Sequence, residues 1–193
     1  MTSDSHTADR SQLQFVQQVR NAFSFLAKQG YTEAEALPTL VRYCKGDTKV
    51  EVYHGRSSYE IGCEVITFGI RYTVADFVRV SDPEAAKTYR NPAATTPDGV
   101  AIGLKELSAL MRRYGAAALL GDTQFISVIE KRRQQWLEEY ALDIAEYQLR
   151  PQAREAFRRG DYSKAAEMYG RIQERLTATE LKKLAFAKKR RKR

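Results

Sequence analysis

From Ser11 onward the apolar residues Leu13, Phe15, Val16, Val19, Phe23 and Leu26 recur in steps of three and four. That spacing places them on one face of a helix. It predicts a helix over 11–29 that covers a sheet, with Ser11 as its N-cap and Gly30 as its stop. Residues 1–10 are polar and carry both charge signs. They read as a disordered N-terminus.

The period then changes from helical to two. Leu40-Val41-Arg42-Tyr43-Cys44 reads as a strand, and Lys45-Gly46-Asp47 as a turn. Lys49 to His54 alternates apolar and polar side chains, as does Tyr59 to Ile66 beyond the turn Gly55-Arg56-Ser57. Ile70 to Val74 completes the set. Short connections make an antiparallel meander of about four strands between residues 39 and 80 the natural topology. Ala75 to Val80 fits either a continued strand or a short helix. Ser81-Asp82-Pro83 opens a turn or a helix with Pro83 at its first position. The stretch 91–99, with two prolines and a glycine, reads as irregular throughout.

From Val100 the chain reads as helical. Ile102, Leu104, Leu107, Leu110, Met111 and Tyr114 form one stripe, closed by Gly115. After Gly121-Asp122 a long helix carries Phe125, Val128, Ile129, Trp136, Leu137, Tyr140, Leu142 and Ile144. Trp136, the single tryptophan, is expected to be largely buried there. Arg150-Pro151 predicts a break, followed by helices over 152–159 and 163–176. Thr177-Ala178-Thr179-Glu180 resembles a capping box that opens a short helix fraying into a basic tail. The fold class expected is α+β: an N-terminal helix packed on an antiparallel β-meander, followed by an all-helical C-terminal half. The divisions are 1–10, 11–99, 100–181 and a tail over 182–193.

Within the helical half, Ala153, Ala156, Phe157, Gly160, Asp161, Tyr162, Ala165, Tyr169 and Ile172 stand at the spacing of a helical hairpin. Gly160 permits a tight turn, the alanines let two helices approach, and the tyrosines fill the seam. The segment, at about 146–176, resembles a single tetratricopeptide-type repeat. One repeat cannot build the concave groove of an array. A hairpin packed on the rest of the protein is the expectation.

Charge changes the picture at the C-terminal end. The chain carries a formal net charge of +8, from 32 basic and 24 acidic residues. Lys182, Lys183, Lys188, Lys189, Arg190, Arg191, Lys192 and Arg193 are eight of those cations, with no acid among them. The rest of the chain balances at 24 against 24. These eight residues are the candidate nucleic-acid contacts, since clustered cations bind phosphates by counterion release. A disordered, solubilising end is the plainer alternative. Arg112-Arg113 and Lys131-Arg132-Arg133 are spread by helical spacing and lie near acids, so they read as solvated faces.

Candidate chemistry is sparse. Cys44 and Cys63 sit in strand-like surroundings and read as small reduced hydrophobes, without the number needed for a disulfide framework. His6 and His54 lie apart and no CxxC occurs, so no metal ligands are expected. His54, Ser57, Ser58 and Glu60 share one turn, but a nucleophile needs partners from separate elements, and an exposed hairpin turn explains the same letters. No phosphate loop and no GxGxxG is present. No catalytic residue and no cofactor is expected. No signal peptide and no apolar run of membrane-spanning length is visible, and a cytoplasmic location with no membrane contact is expected.

Thr39 to Tyr43, followed by Val50-Glu51-Val52-Tyr53-His54-Gly55-Arg56-Ser57-Ser58-Tyr59-Glu60-Ile61, resembles small bacterial immunity-type proteins of polymorphic toxin systems, over roughly residues 11–140. The resemblance implies a cytosolic, non-enzymatic protein that binds another protein, such as a toxin that it neutralises. A nucleic-acid-associated accessory protein acting through its tail is the alternative. An enzyme is the least favoured reading.

Overall fold

The computed structural model describes residues 10–191, and it divides into two compact units, 1–130 and 131–193. The expected disorder of 1–10 falls outside the described residues except for Arg10. That residue begins a 3-10 turn, Arg10–Leu13.

The first unit is the expected helix-on-meander. Its opening helix is broken, however, into α1 (Phe15–Ala22) and α2 (Phe25–Lys28), and Gln14, not Ser11, stands at the N-cap of α1. The break leaves the apolar face intact. Leu13, Phe15, Val19, Phe23 and Leu26 are all buried, and the Leu26 amide donates to the Phe23 carbonyl across the joint at 2.9 Å. Gly30 ends the segment at φ 87°, a left-handed conformation that suits glycine.

Five strands follow: β1 (Thr32–Leu37), β2 (Leu40–Lys45), β3 (Thr48–His54), β4 (Ile61–Thr67) and β5 (Ile70–Thr73). They lie in chain order, every neighbour antiparallel. β1 is one strand more than the periodicity predicts. Its sequence TEAEAL has no β-branched apolar residue, and most of it is exposed. It exists because β2 offers a hydrogen-bonding edge, with Thr32 opposite Cys44 and Leu37 opposite Leu40. Val41, Tyr43, Val50, Val52, Ile61, Cys63, Val65 and Tyr72 form the buried face. The other face carries a ladder of ion pairs in which Arg42 binds Glu35 and Glu51, and Arg71 binds Glu51 and Glu64.

After β5 the chain turns helical at α3 (Val74–Ser81). Thr73 and Asp76 form a capping box, and this decides between strand and helix. α4 (Pro83–Thr88) starts on Asp82 with Pro83 at its first position. The irregular stretch is shorter than expected. Pro97-Asp98-Gly99 is the first turn of α5 (Pro97–Tyr114), where a proline costs no hydrogen bond, and Thr96 caps it by accepting from the Gly99 amide.

α5 buries Val100, Leu104, Leu107, Met111 and Tyr114. Ile102 lies off this stripe and is 60% exposed. Gly103 permits close approach to β4, since a Cβ there would stand 2.8 Å from Ile61 Cδ1. α6 (Ala116–Leu119) and the start of α7 (Thr123–Arg158) complete this core with Ala118, Leu119, Ile126 and Ile129.

The second unit holds the rest of α7, then α8 (Tyr162–Arg171), a 3-10 turn (Gln173–Arg175) and α9 (Ala178–Arg191). Two expectations fail on α7. Pro151 lies inside the helix and does not break it. The amide it lacks would serve the carbonyl of Tyr147, a residue 85% exposed, so the lost hydrogen bond lies on a solvent-facing side of the helix. Trp136 is 45% exposed, with its ring stacked on Tyr140 at 5.4 Å. The reason is positional: the first core stops at Ile129, the second starts at Ala153, and no described residue between them joins either.

Candidate nucleic-acid interface

The second core is built of small residues. Ala153 and Ala156 of α7 meet Ala165, Ala166 and Tyr169 of α8, so the helices pack closely around the turn at Gly160, whose φ is 79°. Asp161 caps α8 by accepting from the Lys164 amide at 3.0 Å. The expected hairpin is therefore present. The third member of the core is α9, which supplies Leu184 and Ala187, and Phe186 makes an aromatic triangle with Phe157 and Tyr162 at centroid distances of 5.3–5.9 Å.

α9 is anchored at its start. The Thr177 amide donates to Glu180 Oε2 at 3.1 Å, and the Glu180 amide donates to Thr177 Oγ1 at 3.3 Å. The same carboxylate, 3% exposed, accepts from Arg154 Nε and Nη2 at 2.9 and 2.8 Å and lies 3.7 Å from Arg150. Burial pushes the Glu180 carboxyl up. The Thr177 amide, Arg154, the Thr177 hydroxyl and Arg150 outweigh it and hold the group below the ordinary carboxylate range.

These contacts correct the expected tail. Lys182 to Arg191 are helical, and apolar residues among them dock the helix. The sequence candidates consequently have fixed places. Lys182, Lys188, Lys189 and Arg190 are exposed, and Lys183 is half-buried with its ammonium 5.6 Å from the Phe157 ring centre. The Arg190 guanidinium lies 5.3 Å from that of Phe186. Arg191 is the last residue of α9, while Lys192 and Arg193 lie outside the described residues.

Among the described residues, none of these five cations, Lys182 to Arg190, is paired with a carboxylate. Several other arginines of the unit contrast with them. Arg158 and Arg159 hold Glu155 and pull its carboxyl down to about 2, Arg154 holds Glu180, and Arg175 holds Asp143. Over 131–193 there are 18 basic and 9 acidic residues, against 14 and 15 over 1–130. The positive excess belongs to the helical unit alone.

Phe186 joins the cations on α9, and the sequence spacing carries the signal. Lys182, Phe186, Lys189 and Arg190 stand at i, i+4, i+7 and i+8, which puts a half-exposed ring within a cationic ridge. Of the other basic clusters, Lys131, Arg132 and Arg133 lie on α7. Arg112 and Arg113 lie on α5, where Arg112 stacks on Phe25 and Arg113 on Tyr114.

The polar turn after β3 is not brought together as a reactive site. The His54 ring is 2% exposed, and Nε2 lies 2.8 Å from the Ala94 carbonyl, to which it donates. Nδ1 therefore accepts from Arg10 Nη1 at 2.9 Å. Ser58 Oγ accepts from the Glu60 amide, and Glu60 is bound by Asn91. His, Ser and Glu are each held by different partners. Cys44 and Cys63 are free thiols, and burial pushes that of Cys63 well above its usual range. Among the described residues no group of three His, Cys, Asp or Glu side chains could hold a metal ion, and no helix is long and apolar enough to cross a membrane.

Neither a family model, nor a curated protein, nor a solved structure matches this chain.

Proposed function

We propose that this protein is a non-enzymatic, cytoplasmic binding protein whose helical unit engages the phosphate backbone of nucleic acid through α9. The observation that carries the reading is α9 itself. Its cations from Lys182 to Arg190 are displayed on a docked helix with Phe186 among them, and pair with no carboxylate among the described residues. A backbone-tracking cationic ridge with a ring for base stacking suits single strands and carries little sequence preference.

The test is a titration with single-stranded and duplex oligonucleotides at two salt concentrations, comparing the natural chain with K182Q/K189Q/R190Q. The slope of log K against log salt should drop by about 2–3, near 0.7–0.9 for each phosphate that is no longer neutralised. An unchanged slope would reject α9 as the interface.

A second reading, a protein-binding module of the immunity type, is favoured by one feature. Leu137, Tyr140, Ile144 and Tyr147 stand at heptad spacing on α7 and are 41–85% exposed. Under that reading L137S/Y140S abolishes capture of a host protein, and the α9 substitutions leave capture intact.

A further inference from the structure

A groove of about 750 Å³ runs between α1 and α5 in the first unit, a size that fits a small organic ligand. Ala22, Ala101 and Ala109 keep it open. Lys105, Arg112 and Arg113 line it together with Gln18, Asn21 and Ser108, and no carboxylate lines it.

Two features set this lining apart from an ordinary solvated face. Arg20, Arg42, Arg71 and Arg79 of the same unit are each bound to a carboxylate. Among the described residues Lys105, Arg112 and Arg113 form no such ion pair, although Arg113 is near enough to Asp82 to help lower that carboxyl. Arg112 is also held in place: its guanidinium lies 4.7 Å from the Phe25 ring centre, and Nη2 donates to Ser108 Oγ at 3.4 Å. Ser108, buried, passes the chain on by donating to the Ala22 carbonyl at 2.6 Å.

The second feature is Gln18. Its Nε2 donates to the carbonyls of Leu13 and Pro97, both at 3.1 Å, and its Oε1 is buried without a partner. Both partners of the nitrogen are acceptors, so turning the amide over would satisfy neither end. A buried acceptor left open costs free energy, and a donor in the groove reaches it once the Gln18 side chain turns toward the groove.

We infer that the groove between α1 and α5 binds a phosphorylated small molecule. Its phosphate sits among Lys105, Arg112 and Arg113, and a hydroxyl or amino group on its organic part donates to Gln18 Oε1. Three unpaired cations call for more than a single negative charge, and a phosphate monoester supplies about −1.5 to −2 at pH 7. A fixed guanidinium suits its oxygens better than a mobile ammonium alone.

The probe is adenosine monophosphate, with adenosine and inorganic phosphate as partial ligands, added to the full chain at about 150 mM salt and followed by amide chemical shifts. Saturable shifts are expected at Ala22, Ser108 and Arg112. Adenosine monophosphate should bind at least tenfold more tightly than either partial ligand.

Lys105 and Arg113 are exposed, so K105Q/R113Q should fold and bind at least tenfold more weakly. K182Q/K189Q/R190Q should bind as the natural chain does, which separates this groove from α9. Shifts confined to α9, or equal affinity in K105Q/R113Q, would overturn the site. Inorganic phosphate binding as tightly as the nucleotide would overturn the role given to Gln18.

Discussion

At Gly62 a missing methyl group decides where an aromatic ring lies. A Cβ built there would stand 2.2–2.7 Å from ring atoms of Tyr53, its cross-strand partner. The ring covers the glycine, as cross-strand pairs in a sheet can. Gly62→Ala should displace Tyr53 and cost about 1–3 kcal/mol, read as a shift of the urea midpoint. Adding Tyr53→Leu should cost less than the sum of the two single changes. Strict additivity would show that the ring does not lie on Gly62.

Glu51 and Glu180 make a second residue-scale prediction, on pH. Burial pushes Glu51 up, but Arg71 and Arg42 outweigh it, so its carboxyl is lowered, as that of Glu180 is. A group with a depressed folded value contributes its stabilisation in full above the unfolded value, about 4.3 for Glu. That contribution is lost as pH falls through the folded value. Melting followed from pH 7 to pH 3 should therefore show a steep acid loss, and Glu180→Gln should make the loss shallower. An acid limb unchanged in Glu180→Gln would remove Glu180 from the balance.

At the scale of elements, α9 belongs to a core and is not a solvated appendage. Leu184 is 3% exposed and Ala187 fully buried, against α7 and α8. Leu184→Ala should cost about 2–4 kcal/mol, the range for a truncated core leucine. Deleting everything after Leu181 should strip the hairpin of its third partner and expose the Ala165 to Tyr169 amides to hydrogen exchange. Retained protection in the truncated chain would show that α7 and α8 suffice. Exposed Trp136 carries the opposite expectation. Trp136→Ala should shift the midpoint by less than about 1 kcal/mol, and a loss above about 3 kcal/mol would place it in a core after all.

At the scale of the whole molecule, charge and structure divide at the same place. The first unit is close to neutral, and the second carries the excess. Five charged residues of the first unit, Glu35, Arg42, Glu51, Glu64 and Arg71, form the ion-pair ladder across the open sheet face. Exposed surface pairs contribute little stability each, although the nearly buried Glu51 between two arginines makes this a network. The α9 cations from Lys182 to Arg190 pair with no carboxylate within the described residues. K182Q/K189Q/R190Q should accordingly leave the thermal midpoint nearly unchanged while lowering the salt slope of nucleic-acid binding. A collapse of stability in this variant would mean that the three side chains pack and do not merely display charge.

Features legible in the sequence are those set by neighbours along the chain. Steps of three and four between Leu13 and Leu26, alternation from Lys49 to His54, and Gly160 at the hairpin turn all express local geometry. From these come the α+β class, the antiparallel meander and the paired helices. What only the tertiary structure decided depends on which surface meets which. β1 pairs because β2 presents an open edge, although TEAEAL has no strand signature. Trp136 stays half-exposed because neither core reaches residue 136, and a local period does not report how far a core extends. Lys182 to Arg191 read as a tail by composition, yet Leu184, Phe186 and Ala187 find a seam between two other helices and make it a helix. The groove of Lys105, Arg112 and Gln18 joins two helices far apart in the chain, a separation over which sequence spacing carries no geometry.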